Sequence, residues 1–136
     1  MCGRYNIKTN GRDFAEILEV VREFDFDFQP RYNVAPTQTV ICVRDRDERE
    51  FFQAKWGLIP SWAKDAKFGA SCINARSETV DTKPAFRSAF KRHRCLVLAD
   101  GFYEWRKTDK QPHNITLKSG PLFFAGLWET WNSAAA

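Results

Sequence analysis

The sequence predicts a single α+β domain built around a mainly antiparallel sheet. Short β-branched and aromatic runs recur at close spacing with turn-forming residues between them, the pattern of strands joined by hairpins. Two segments carry helical character, at residues 11–24 and 84–92. No internal repeat or Pro/Gly/Ser-rich linker divides the 136 residues, a length that buries one real core.

Taken in order, residues 3–7 read as a short strand. Residues 11–24 place Phe14, Ile17, Leu18 and Val21 at the spacing of an amphipathic helix. The acidic and aromatic stretch 25–30 reads as an irregular connection, and Pro36 ends any regular element that begins at Arg31. Residues 39–43 are a β-branched strand, 44–50 a charged turn and 51–56 the returning strand. Residues 57–70, with Pro60, Trp62 and Gly69, read as an exposed loop. A helix follows over 84–92 with proline near its start. Strands at 94–99 and 101–106 flank a tight turn at Asp100-Gly101, and strands at 114–117 and 122–127 complete the series around Ser119-Gly120.

Composition narrows the function classes. Apolar residues make up 43% and charged residues 28%, which is globular. A net charge of +4 permits an anionic partner without requiring one. Aromatics reach a high 15%; most must be core, but some could form a stacking surface. The opening residues show no charged-then-apolar signal pattern, and no apolar run reaches membrane-spanning length. An intracellular, reducing compartment with free thiols is therefore expected. The four cysteines form no C-x-x-C pair, and Cys42, Cys72 and Cys95 lie in or beside apolar runs as buried packing residues. His93 and His113 lack metal-ligand spacing and read as surface residues. No P-loop, dinucleotide fingerprint or G-x-S-x-G elbow is present.

Chemistry concentrates at the start of the chain. Cys2 follows the initiator, and once Met1 is removed it carries a thiol and a free α-amine on adjacent carbons. With a reference pKa of about 7.7–8.0, that amine is partly unprotonated near neutral pH, far more than a lysine at about 10.4. A 1,2-aminothiol condenses with an aldehyde to an imine, and its thiol can then close a five-membered thiazolidine. An N-terminal nucleophile with its own amine can equally attack amides. Asn74 sits between Ile73 and Ala75, and Glu104 lies among Phe102, Tyr103 and Trp105. A carboxyl in that setting suits proton transfer near neutral pH. A turn or cap role for Asn74, and an ion pair with a buried arginine for Glu104, fit the same residues. In a strand, Arg4 would share a face with Cys2 and could fork onto phosphate. Pro36 and Trp62 are rigid and loop-borne, suited to wedging into or stacking on bases, or to covering the core. The basic run Arg87, Lys91, Arg92 and Arg94 reads as a solvated face.

Five ordered motifs carry a family resemblance. They are Met1-Cys2-Gly3-Arg4-Tyr5, Arg31-Tyr32-Asn33-Val34-Ala35-Pro36, Trp56-Gly57-Leu58-Ile59-Pro60-Ser61-Trp62, Ile73-Asn74-Ala75-Arg76-Ser77-Glu78 and Ala99-Asp100-Gly101-Phe102-Tyr103-Glu104-Trp105. Together they resemble the SOS response-associated peptidase (SRAP) domain, which protects abasic sites in single-stranded DNA. The resemblance implies a β-barrel-like core with flanking helices and a basic groove for single-stranded DNA. It implies that Cys2 forms a thiazolidine with the ring-opened abasic aldehyde, after autoproteolytic removal of Met1. Asn74 would hold the α-amine and sugar, and Glu104 would assist proton transfer. Arg4 and Arg76 match phosphate contacts, Pro36 and Trp62 match positions near the disrupted base stack, and Asn33 and Ser77 fall in the same DNA-contacting motifs. No cofactor or metal is implied. The implied partners are abasic single-stranded DNA and proteins of the replication fork, met by a monomer away from membranes, in the cytoplasm of a bacterium or the nucleus of a eukaryote. The family's further histidine, in a His-Asp-Arg-Met-Pro type motif, is not found here. The resemblance therefore implies a domain over 1–131 without the family's C-terminal portion, then a tail at 132–136. A thiol peptidase or amidase and a noncatalytic single-stranded DNA binder remain open alternatives.

Overall fold

The computed structural model describes residues 2–132, so the processing of Met1 and the tail from 133 onward lie outside the described residues. Eight strands form two open four-stranded antiparallel sheets. The first has the order β2-β1-β6-β7, with β1 at Tyr5–Ile7, β2 at Arg31–Val34, β6 at Gly101–Trp105 and β7 at Pro112–Thr116. The second has the order β4-β3-β5-β8, with β3 at Thr39–Asp45, β4 at Arg49–Lys55, β5 at Arg94–Ala99 and β8 at Leu122–Leu127. The expected α+β, mainly antiparallel architecture is present, its barrel-like core taking the form of two sheets that share apolar side chains.

The β3–β4 hairpin is longer than its apolar runs. Its ladder continues to Arg44↔Glu50 and Asp45↔Arg49, because those charged residues pair across the strands. Arg44 Nε donates to Glu50 Oε1 at 2.9 Å, and Arg49 Nε to Asp45 Oδ1 at 2.9 Å. Between β5 and β6 the chain changes sheets at Asp100. Its carboxylate accepts from the backbone N–H groups of Lys8 and Thr9 and from the Thr9 hydroxyl, clamping the end of β1 to this turn.

Helix α1 covers Gly11–Leu18, shorter than the apolar spacing suggests. Asn10 caps its start by accepting from the Asp13 N–H at 2.9 Å. Its end comes where Glu19 turns left-handed, at φ 56°, and returns hydrogen bonds to the last turn. Val21, expected on the apolar face, is 85% exposed as a result. The stretch 24–28 then folds back, and Phe24 and Phe28 stand edge-on to Phe51 with ring centroids 5.0 and 5.3 Å apart. Gly11 makes room for them, since a Cβ there would meet Phe28 at 2.8 Å.

Helix α2 covers only Arg87–Arg92; the residues before it, Pro84 included, form successive turns. A 3-10 helix over Ala66–Ser71 interrupts the expected loop, capped by Asp65. Phe14, Val34 and Leu98 are fully buried at the centre. Tyr5 of β1 and Phe102 of β6 both meet Phe124 of β8, at 5.6 and 5.7 Å, so the sheets share one core. Cys42, Cys72 and Cys95 are buried free thiols, as the sequence suggests. Among the described residues no helix is long and apolar enough to cross a membrane.

Candidate functional site

Residues 2–4 precede β1 and are not part of it, which changes where their side chains go. The main chain of Arg4 is fixed from β6, whose Tyr103 N–H donates to the Arg4 carbonyl at 3.0 Å. The Cys2 thiol turns toward that same carbonyl, at 3.5 Å. Cys2 is half-buried and lines an open cavity of about 1030 Å³, whereas Arg4 is exposed and lies outside it. The shared face expected of a continuous strand is therefore not formed. Arg4 instead donates from Nη1 to Asn33 Oδ1 at 3.2 Å, joining the start of the chain to β2.

Asn74 reaches the same point from the other side. Its Nδ2 donates to the Cys2 carbonyl at 2.7 Å, across 72 residues of sequence. Trp56, the residue just after β4, holds the segment that carries Asn74. The indole Nε1 donates to the Ile73 carbonyl at 2.8 Å, and the Leu58 N–H to the Cys72 carbonyl at 3.0 Å. The 57–58 and 69–72 segments approach so closely that a Cβ on Gly57 would lie 2.7 Å from the Gly69 carbonyl oxygen.

Four influences set the titration of the Cys2 thiol. Burial pushes it above its ordinary value, the Arg4 backbone partly offsets this, the negative charge of Glu104 adds to the rise, and the positive charge of the chain terminus acts against it. Glu104 is thus within electrostatic reach of the sulfur while sitting on β6, opposite His113. Among the described residues, no group of three or more His, Cys, Asp or Glu side chains is placed to hold a metal ion.

The SOS response associated peptidase (SRAP) family profile matches residues 1–136. The chain belongs to the SRAP family. It is 42% identical to the abasic site processing protein YoqW of Bacillus subtilis, over 98% of this chain and 62% of that relative. It is 34% identical to the abasic site processing protein YedK of Escherichia coli, over 96% of this chain and 60% of that relative. The crystal structure of a Bordetella bronchiseptica protein superposes with a TM-score of 0.79 at 27% identity, covering 98% of this chain and 66% of that one. The chain thus spans about three fifths of the length of these curated relatives.

Within this SRAP domain the residues singled out from sequence fall into separate groups. Cys2, Asn74 and Ser77 line the cavity, with Glu104 in reach of the Cys2 sulfur. Arg4 and Asn33 form an exposed pair beside it. Trp62 is 56% exposed and stands edge-on to Phe68 at 5.3 Å. Pro36 is half-buried and Arg76 exposed, and neither lines the cavity. His93 departs from its surface expectation. It is half-buried, stacked on Trp128 at 4.0 Å, with Nδ1 3.5 Å from Glu129 Oε1. Trp56 belongs to the site as well: its place in the third motif carries a sequence signal, but its indole contact with the Ile73 main-chain carbonyl is visible only in the fold.

Proposed function

We propose that this SRAP domain captures abasic sites in single-stranded DNA through a covalent thiazolidine link to Cys2. The hydrogen bond from Asn74 to the Cys2 carbonyl carries this reading, because it holds the first reactive residue at the mouth of a cavity beside a carboxylate. Met1 removal, by the domain itself acting as a peptidase, frees the α-amine. The amine adds to the C1 aldehyde of the ring-opened deoxyribose, and loss of one water gives an imine. The thiol sulfur then adds to the imine carbon while its proton passes to the nitrogen. The sum is a thiazolidine and one water, with no oxidant or reductant consumed.

In this scheme Asn74 orients the α-amine through the main chain of Cys2, and Glu104 shuttles protons during ring opening and imine formation. Arg4 and Arg76 contact phosphates, Asn33 and Ser77 the backbone nearby, and Pro36 and Trp62 the unstacked bases. The curated names of YoqW and YedK support abasic DNA as the target. Replication-fork proteins as partners and action as a monomer belong to the same reading, as does one domain over 1–131.

The decisive experiment incubates the Met1-processed protein with a single-stranded oligonucleotide bearing one abasic site. A heat-stable adduct that Cys2→Ser abolishes is expected. No adduct, or one equally stable with Cys2→Ser, overturns the proposal, and turnover of unrelated peptides would favour the amidase alternative.

A further inference from the structure

Trp56 stands where the two halves of the site meet. Its backbone is held on both sides by the preceding turn: its N–H donates to the Gln38 carbonyl at 3.0 Å, and its carbonyl accepts from Thr37 at 3.0 Å. Its ring packs on Tyr5, with centroids 5.4 Å apart, three residues from Cys2. Its indole N–H donates to the Ile73 carbonyl at 2.8 Å, one residue from Asn74. One rigid side chain therefore touches the segment carrying the thiol and the segment carrying the amide that binds it. Leu58 repeats the attachment two residues along, through its N–H to the Cys72 carbonyl.

We infer that Trp56 is a positioning residue for the Cys2 site, setting the reach of Asn74 to Cys2 through its indole N–H. This rests on the proposed role of Cys2 and Asn74 in abasic-site capture. The geometry separates two functions of the ring. Packing against Tyr5 requires only an aromatic face, whereas the hold on Ile73 requires the N–H donor. Trp56→Phe keeps the first and removes the second. Without the donor the Ile73 carbonyl is free to turn, and Asn74 moves with it. A misplacement on the order of 1 Å at a reacting centre costs about 10²-fold in rate.

Two readouts of Trp56→Phe test this. In single-turnover crosslinking to an abasic oligonucleotide, the maximal rate is expected to fall about ten- to a hundred-fold, with the half-saturating DNA concentration unchanged. In ¹⁵N-labelled protein without DNA, the Asn74 side-chain amide pair is expected to shift toward the position of a solvent-exposed asparagine and to exchange faster with water. Should Trp56→Phe fail to fold, benzothienylalanine at position 56 keeps the size of the indole and lacks only the donor. An Asn74 resonance that stays in place in the folded variant overturns the inference. So does an unchanged maximal rate accompanied by a lower melting temperature, which marks Trp56 as a core residue only. If the wild type forms no adduct while the Asn74 resonance still moves, the proposed function fails and the positioning contact stands.

Discussion

Gly57→Ala should be among the most damaging single-methyl additions in this protein, for two reasons that add. Gly57 has φ 126°, which side-chain-bearing residues rarely adopt. Holding alanine there costs about 1–3 kcal/mol. The new Cβ would also sit 2.7 Å from the Gly69 carbonyl oxygen and 3.2 Å from its carbon. Both are backbone atoms, so no flexible side chain can swing away, and overpacking adds about 1–3 kcal/mol. The sum, about 2–6 kcal/mol, is a large share of the roughly 5–15 kcal/mol that holds a domain folded. For a chain of this size it lowers the melting temperature by about 7–20 °C.

Two other glycines calibrate the result. Gly120 has φ 79° with nothing within 4 Å of a built Cβ, so Gly120→Ala isolates the backbone contribution, about 1–2 kcal/mol. Gly3 has open space and no positive φ, so Gly3→Ala should stay within about 0.5 kcal/mol. Thermal unfolding followed by circular dichroism gives all three. The expected order of loss is Gly57, then Gly120, then Gly3. A Gly57→Ala protein that melts no lower than Gly120→Ala refutes the claim that the 57–69 approach is tight. Gly69→Ala meets the Gly57 carbonyl oxygen at 2.9 Å, so the double variant should fall short of the sum of the singles.

Two further outcomes follow from charge. Glu104 raises the Cys2 thiol by disfavouring its thiolate, so Glu104→Gln should move the midpoint of thiol alkylation by iodoacetamide to lower pH, and a midpoint that stays or rises contradicts the placement. At Asp100 burial acts to raise the carboxyl, but the N–H groups of Lys8 and Thr9 and the Thr9 hydroxyl outweigh it and hold it below its ordinary value. Its contribution is therefore complete above the unfolded value of about 3.9 and lost as pH falls through the folded one. Asp100→Asn should cost about 1–2 kcal/mol at pH 7 in urea unfolding, discounted for partial exposure, with the difference from wild type vanishing in strong acid.

Much of the second sheet was legible because its strands are β-branched or aromatic and its hairpin turn is charged. Regular periodicity worked less well where backbone geometry overrides side-chain pattern. The apolar spacing of Phe14, Ile17, Leu18 and Val21 continues past Leu18, yet Glu19 turns left-handed and the helix stops. The apolar surface that a longer helix would cover is taken by Phe24 and Phe28, in a segment that forms neither helix nor strand although its alternating phenylalanines would suit either. Strand β2 escaped notice because Arg31, Tyr32 and Asn33 are mostly exposed and pair along only one edge, with β1.

The candidate site shows the same division more sharply. Cys2, Asn74 and Glu104 could be singled out by residue type and motif, since thiol, amide and carboxyl groups advertise their chemistry. What brings them together is almost entirely main chain. Asn74 binds the carbonyl of Cys2, the thiol turns to the carbonyl of Arg4, and Tyr103 reaches that same carbonyl through its own N–H. The loop bearing Asn74 hangs from two more carbonyls, those of Cys72 and Ile73. Every residue offers a carbonyl, so no composition or spacing distinguishes the four that matter here. Two kinds of residue do leave a trace: the paired glycines at 57 and 69, which let two backbones meet, and the single indole at Trp56. Substitutions at those positions should therefore disturb the Cys2–Asn74 contact without altering any group that reacts, and that separates assembly of the site from its chemistry.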